Sequence, residues 1–304
     1  MRHDSGILFA AGRGPGLLTG RRKTLLALPG CNRGEAGVPE TCIYFGSDAQ
    51  RAILRRGRAL RDILAPWPRY SYYGRVVGIT SLDDETLDDM VALARVQGNS
   101  SCTAVPDDAV PQMARTLKEQ GLTPLHYAKW EGDGDAARRI IETQALPRDL
   151  RLVQVDARTP GSVLESLADM ALDCGVLPMC SDVLRGLLQP SVCFVALDGQ
   201  GRVVSCAASS AYAHREHPLC GDQAWWGMLA TAPDRRGEKL ALILGAWAMN
   251  EMAAKFGYGR FMTGVQPGNG ASESVCAKMG LARRGASIVV SADPVSLGPG
   301  NLTK

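Results

Sequence analysis

The chain has 304 residues, with 34 Lys and Arg against 31 Asp and Glu and a formal net charge of +3 at pH 7. That length suits two domains of ordinary size, and that charge selects neither a polyanionic nor a polycationic partner. A 45% hydrophobic fraction fits a globular protein with real cores, and no apolar run approaches the roughly 20 residues of a membrane-spanning helix.

The start, Met1-Arg2-His3-Asp4, lacks the apolar segment of a signal peptide. Of the nine cysteines (Cys31, Cys42, Cys102, Cys174, Cys180, Cys193, Cys206, Cys220 and Cys276) none forms a Cys-x-x-Cys pair, and four histidines supply no zinc-ligand spacing. No metal is expected. An odd count without framework spacing points to a reducing cytoplasm, with most thiols as small core residues.

Residues 1–40 are rich in Gly, Pro and Arg, with strands expected at 6–10 and 23–28 around a Gly/Pro turn, and a third at 41–45. Ser47 or Asp48 caps a helix running to Leu64, which Pro66 stops. Arg51, Arg55, Arg56, Arg58 and Arg61 crowd that helix as a solvated face, without the aromatic interleaving of a nucleic-acid surface. A buried strand follows at 75–80, then a helix with Leu87, Met90, Val91 and Ala94 at helical spacing. Next come a strand at 101–105, a helix at 108–120 stopped by Gly121, a strand at 122–130 and a helix at 135–143. The stretch 145–149 reads as a boundary, dividing the chain into 1–147 and 148–304.

The second part opens with a strand at 151–155 and a helix at 161–173 carrying Val163, Leu164, Leu167, Met170 and Ala171 on one side. After a shorter helix at 182–188, strands at 192–197 and 202–208 flank Asp198-Gly199-Gln200-Gly201, a hairpin signal. The segment 225–244 then reads as an apolar strand, a sharp basic turn and a long helix that Gly257-Tyr258-Gly259 ends. Trp225 and Trp226 point to opposite faces of that strand, so one belongs to the core and the other is free to line a slot. A strand at 260–265, a helix opened by Asn269 and closed by Gly280, and a strand at 283–290 complete the order, with a loose tail after Asp293. A turn between strand and helix presents backbone N–H groups at a helix N-terminus, and those donors and the helix dipole suit a phosphate.

This order and two motifs resemble the GCN5-related N-acetyltransferase (GNAT) family. The first motif is the acetyl-CoA turn: the strand ends Thr231-Ala232-Pro233, and Arg236-Gly237-Glu238-Lys239-Leu240-Ala241 follows, matching at Arg236 and Ala241, with Lys239 where glycine is usual. The second is 265–281, in which Asn269 opens the helix, Gly280-Leu281 ends it, and Cys276 takes the position usually filled by tyrosine. The resemblance implies a mixed-sheet α/β fold of the GNAT type and acetyl-CoA, or another acyl-CoA, as cofactor. Leu229, Ala230 and Thr231 would pair with pantetheine. Arg235, Arg236, Gly237, Glu238, Lys239, Leu240 and Ala241 would cradle the pyrophosphate, and Asn269 and Ser272 complete the set. A positive-φ position in such a turn calls for glycine, which Lys239 is not. Direct attack of an amine on the thioester needs a base, an oxyanion donor and an acid for the leaving thiolate. The N–H near Leu229 or Ala230 is the expected donor, Cys276 the candidate acid, and His217 and Asp222 the candidate bases, beside His214 and Glu216.

The first part reads as a worn copy of the second. Residues 102–106 and 120–122 parallel 262–267 and 279–281, and 77–82 parallel 228–233. At the turn, however, Asp83-Asp84-Glu85 replaces Asp234-Arg235-Arg236, and three carboxylates repel a pyrophosphate. The expectation is two tandem GNAT-like domains with a non-catalytic N-terminal copy, acetylating the primary amine of a small molecule. A protein or peptide amine as acceptor, and a non-catalytic acyl-CoA-binding or regulatory module, stand beside it.

Overall fold

The computed structural model describes residues 42–297. Its first helix, α1 (Asp48–Leu64), starts at a capping box: the Ser47 hydroxyl accepts from Gln50 N at 3.3 Å, and the Gln50 side chain accepts from Ser47 N at 2.9 Å. The chain continues through β1 (Tyr70–Tyr72), β2 (Val77–Ile79), α2 (Thr86–Gln97), β3 (Asn99–Pro106), α3 (Val110–Glu119), β4 (Thr123–Asp133) and α4 (Asp135–Thr143). After residues 144–150 come β5 (Arg151–Val155), α5 (Gly161–Asp173), α6 (Ser181–Leu184), β6 (Ser191–Leu197), β7 (Val203–Ala211) and β8 (Gln223–Thr231). Then α7 (Leu240–Phe256), β9 (Arg260–Val265), α8 (Gly270–Lys278), β10 (Ala282–Ala292) and α9 (Pro294–Leu297) close the order.

The strands expected at 6–10 and 23–28 lie outside the described residues. Residues 42–45 form no strand. Instead Ile43 N donates to Ser181 Oγ at 2.8 Å and Ser181 N donates to Ile43 O at 3.0 Å, fastening the segment to the start of α6 through one residue. α6 ends at Leu184 rather than 188, because Gly186 turns the chain at φ +70°. At the start of the tail Asp293 accepts from Arg95 Nη1 at 2.6 Å and from Ser296 Oγ at 2.8 Å, and residues 298–304 lie outside the described residues.

All the strands join one sheet in the order β1-β2-β3-β10-β4-β9-β8-β7-β6-β5. While β6 and β5 extend the sheet beyond β7, the strand directions mirror one another for three strands on each side of the β10–β4 pair. Outward from it, β3 and β9 each run antiparallel to their inner neighbour, and β2 and β8 each run parallel to β3 and β9. The two inner strands have changed places: β4 lies beside β9 rather than β3, and β10 beside β3 rather than β9. Residues on both sides of the 144–150 stretch thus share one sheet, and the described residues form one compact unit.

The helix α7 is buried almost all round, with Leu240, Ile243, Leu244, Ala248, Met249 and Met252 enclosed, and it packs on β6–β8 and against α4. Trp226 sets its distance from the sheet. This side chain is fully buried, its indole N–H donates to Gly245 O at 3.0 Å, and a Cβ on Gly245 would stand 2.6 Å from its ring. Alanine is the better helix former by roughly 1 kcal/mol, yet overpacking a core costs about 1–3 kcal/mol. Gly245→Ala is therefore expected to lower stability by about 1 kcal/mol or more, read from the urea midpoint; a higher midpoint would show that the helix can move away at little cost.

Candidate functional site

The strands β8 and β9 run in parallel through Gln223↔Arg260, Ala224↔Phe261 and Trp225↔Met262, and then pairing stops. β8 carries the reason. Ala208↔Gly227 is followed by Cys206↔Ala230, so β8 holds one more residue than β7 at a β-bulge, and Met228 there takes φ +54°. The Cys206 thiol donates to Met228 O at 3.2 Å and pins the bulge. Beyond it the β9-facing edge of β8 is left without a strand partner among the described residues.

At its far end β8 runs into the basic turn. Pro233–Arg235 form a single 3-10 turn, Gly237 follows at φ +88°, and Lys239 sits left-handed at φ +61° directly before α7. Lys239 provides no side-chain cap, and the first main-chain bond it receives comes from Ile243 N at 3.0 Å. The N–H groups of Leu240, Ala241 and Leu242 therefore lack helix partners. The basic residues divide their work. Arg235 is spent on Asp149 at 2.6 Å and Glu238 at 2.9 Å, which also occupies Glu238. Lys239 Nζ donates to Gln144 Oε1 at 3.0 Å. Arg236 is exposed, bound only to Thr231 O at 3.4 Å through Nε, and has no carboxylate partner among the described residues.

The gap between β8 and β9 opens into a cavity of about 280 Å³. Its floor is one face of the sheet: Ser101, Val290 and Leu125 stand directly opposite one another across β3, β10 and β4, with Ile288 opposite Tyr127. Tyr73, Arg75 and Val76 from the β1–β2 turn and Gly175 and Val176 after α5 wall it, and Leu229, Thr263, Asn269, Ser272 and Cys276 complete it. Asn269 Oδ1 accepts from Ser272 N at 3.2 Å, capping α8 at the cavity edge. Trp225 lies over Gly227, where a Cβ would meet its ring at 2.6 Å. The Arg75 guanidinium carbon sits 5.4 Å from the Trp225 ring centroid, and Nε donates to Leu177 O at 2.8 Å. Arg75 is the one charged side chain lining the cavity, and burial pushes its pKa down to about 10.

The site thus gathers Leu229, Asn269, Ser272 and Cys276 from the expected set. Cys276 is 1% exposed, and burial pushes its thiol up to about 12, which makes it a weak proton donor near neutral pH. His217 and Asp222 do not line the cavity. Both Asp222 oxygens accept from Arg260 Nε at 3.0 Å at the paired start of β8 and β9. His217 Nδ1 accepts from Leu219 N and Cys220 N at 3.2 Å, and burial lowers the pKa of the ring. The particular residues of the wall, Tyr73 to Val76, and of the floor from β3, β4 and β10 do not stand out in the sequence, which suggests only that the N-terminal half is structural or walls the acceptor site. Arg75, a charge at the head of an apolar run, was the signal for the wall.

The matching place in the first half is closed. β2 and β3 pair at Ile79↔Cys102, and the next residue, Thr103, donates its hydroxyl to Ile79 O at 2.9 Å and Thr80 O at 3.1 Å. Thr263, the residue after Met262, instead faces the cavity. The acidic turn is offset in part from within: Arg69 binds Asp83, Asp89 at 2.7 Å and Glu85 at 3.9 Å. Among the described residues no group of three or more His, Cys, Asp or Glu is placed to hold a metal ion, and no helix is long and apolar enough to cross a membrane.

The family model for the acetyltransferase (GNAT) family matches residues 165–281, which span the bulge, the basic turn and α8. This segment is thus similar to the GNAT acetyltransferase family. A comparison with curated protein sequences finds no match. Among solved structures, the chain is similar to a GCN5-related N-acetyltransferase from Kribbella flavida at 15% identity, covering 82% of this chain and 96% of that one, with a TM-score of 0.49. It is also similar to a tandem GNAT protein from the clavulanic acid biosynthesis pathway, at 15% identity, 69% and 68% coverage and a TM-score of 0.46. A GCN5-related N-acetyltransferase-like protein from Streptococcus suis gives 15% identity, 75% and 85% coverage and 0.47.

Two measurements check the local physics of the GNAT segment and its surroundings. A left-handed non-glycine residue costs roughly 1–2 kcal/mol, so Lys239→Gly is expected to raise stability by about 1 kcal/mol in urea titrations. An unchanged midpoint would mean that the bond to Gln144 offsets the backbone cost. Among the thiols, hydrogen bonding with Cys180 draws Cys42 down to about 6. Iodoacetamide at pH 7.5 is expected to label Cys42 and spare Cys276, with the Cys42 rate falling as pH drops through about 6. Comparable labelling of Cys276 would contradict its buried, protonated state.

Proposed function

We propose that this chain is an acyl-CoA-dependent N-acyltransferase that acetylates the primary amine of a small molecule. One observation carries the reading: β8 parts from β9 at a bulge and runs without a break into an uncapped helix start bearing a free cation. The residues fit the cofactor. The N–H groups from Gly237 to Leu242 and the Arg236 guanidinium would hold the pyrophosphate, and Gly237 and Lys239 already take the left-handed backbone that turns those donors outward. The unpaired edge of β8 from Leu229 to Thr231 would take pantetheine. Bound acyl-CoA supplies the activated carbonyl.

The protein's part is position and proton balance. The attacking nitrogen forms a bond to the acyl carbon, the carbon–sulfur bond breaks, and the sulfur leaves with the electron pair and takes up a proton. Leu229 N–H, next to the bulge at the cavity wall, is the proposed donor to the carbonyl oxygen. No carboxylate or imidazole lines the cavity. Arg75 disfavours a protonated amine beside it, so the acceptor enters neutral and its surplus proton passes to water. Cys276 serves as wall, while His217 and Asp222 order the loop before β8. A cavity walled by two loops, close in size to small-ligand pockets, supports a small acceptor over a protein surface. The matched strand directions on the two sides of β10–β4 support two GNAT-like copies, 1–147 and 148–304, of which the second binds the cofactor.

Isothermal calorimetry with acetyl-CoA tests the reading. Wild-type protein is expected to bind, and Arg236→Glu to bind at least tenfold more weakly, because one charge-assisted bond becomes a repulsion. Equal affinity of the two proteins would remove the cofactor assignment. Release of free CoA thiol across an amine panel separates enzyme from binder, and binding without release would leave an acyl-CoA-binding module.

A further inference from the structure

Several arginines of this chain are matched to carboxylates, while Arg56 and Arg215 bond to main-chain carbonyls away from the cavity. Arg69 has Asp83, Asp89 and Glu85, Arg95 has Asp293, Arg235 has Asp149 and Glu238, and Arg260 has Asp222. Arg75 is the arginine at the cavity. It has no ion pair among the described residues, and its only hydrogen bond is the one from Nε to Leu177 O at 2.8 Å. That bond and the cation–π contact with Trp225, 5.4 Å from the ring centroid, hold the guanidinium by its Nε side and leave both terminal nitrogens without a hydrogen-bond partner among the described residues. A partly buried cation without a counter-ion is costly, and a planar fork held from behind is the arrangement that takes a carboxylate with two parallel hydrogen bonds.

We infer that the acceptor carries a carboxylate in addition to its amine, and that Arg75 binds this carboxylate at the wall of the cavity. The inference rests on the acyl-transfer reading and names the substrate class for it, an amino acid or other small amino carboxylate. Asn99 and Ser101 on the floor offer further polar contacts to such a molecule. The cofactor's phosphates are not the partner of Arg75. Trp225, which Arg75 contacts, stands six residues before Thr231 on β8, about 20 Å along an extended strand from the basic turn. Arg75 comes from the half that lacks the basic turn, so the two halves divide the substrates: the second holds acyl-CoA and the first recognises the acceptor.

The test pairs acids with their amides. Glycine, alanine, phenylalanine, β-alanine and γ-aminobutyrate are each assayed with acetyl-CoA against the matching carboxamide, by thiol release. The amides have the less basic amines and react faster in free solution, so a preference for acids has to come from the protein. The best acid is expected to exceed its amide at least tenfold in kcat/KM. Arg75→Met is expected to bring that ratio near one and to raise KM for the acid, with acetyl-CoA affinity by calorimetry unchanged; Arg75→Lys keeps part of the preference. Amides equal to or better than acids, or a ratio that survives in Arg75→Met, would overturn the inference. A binding readout stands apart from turnover: quenching of tryptophan fluorescence by the N-acetyl derivatives of the same acids, and not by those of the amides, is expected in wild type and lost in Arg75→Met. If no amine is acetylated, the acyl-transfer reading fails, and this titration still decides whether Arg75 is a carboxylate site. If Arg75→Met does not fold, the wild-type acid-to-amide ratio and Arg75→Lys decide.

Discussion

Three residue pairs hold β8 to β9, and everything at the site depends on their being only three. A longer ladder would close the cleft, and a shorter one would free the two strand starts. The bulge at Met228 places an extra residue in β8 just beyond the last pair with β9, and pairing with β7 resumes one residue out of step at Cys206↔Ala230. Gly227 beneath Trp225 and Gly245 above Trp226 let two large rings lie flat against opposite faces of the same strand. Trp226 thereby sets the seat of α7, and with it the level at which the free N–H groups meet the end of β8. Trp225, on the other face, becomes the platform for Arg75.

The halves differ by small chemical changes at matched places. A threonine follows the last parallel pair in each. Thr103 reaches back to two carbonyls and seals β2 to β3, while Thr263 turns to the cavity where β8 has moved away. At the turns, Arg69 pairs with the carboxylates of one, while the other keeps Arg236 exposed and without a carboxylate partner among the described residues. Neither change needs a different fold. Each needs only a different partner for one polar group, since a buried donor or acceptor must be satisfied by something.

Local signals made much of this legible in the sequence. The hairpin at Asp198–Gly201, the stop at Gly257 and the Asn269 cap act within a few residues, and each element formed where its signal stood. The glycine expected at Lys239 was a statement about backbone angle, and φ +61° is that angle. Signals that depend on distant chain were not legible. The three-residue β1 has no pattern of its own and exists because β2 and Tyr212 O receive it. His217 and Asp222 were near β8 in sequence, but they sit where β8 is still paired, and Arg260 takes Asp222. Cys276 was placed correctly on α8, whereas its proton affinity follows from burial that one helix cannot reveal. Arg75 became visible only once β3, β10 and β4 were known to lie under it.

The exchange of β4 and β10 carries a consequence for inheritance. In a simple tandem, a copy that has lost its cofactor turn is free to drift or be deleted. Here it is not, because β4 from the first half is the strand against which β9 is laid, along six residue pairs from Ala128↔Val265 to Asp133↔Arg260. One wall of the cavity is thus supported by a strand from the other side of the 144–150 stretch. A change in the β4 ladder therefore reaches the cavity from the far side of the chain, and neither part can be removed without uncovering an edge in the middle of the sheet.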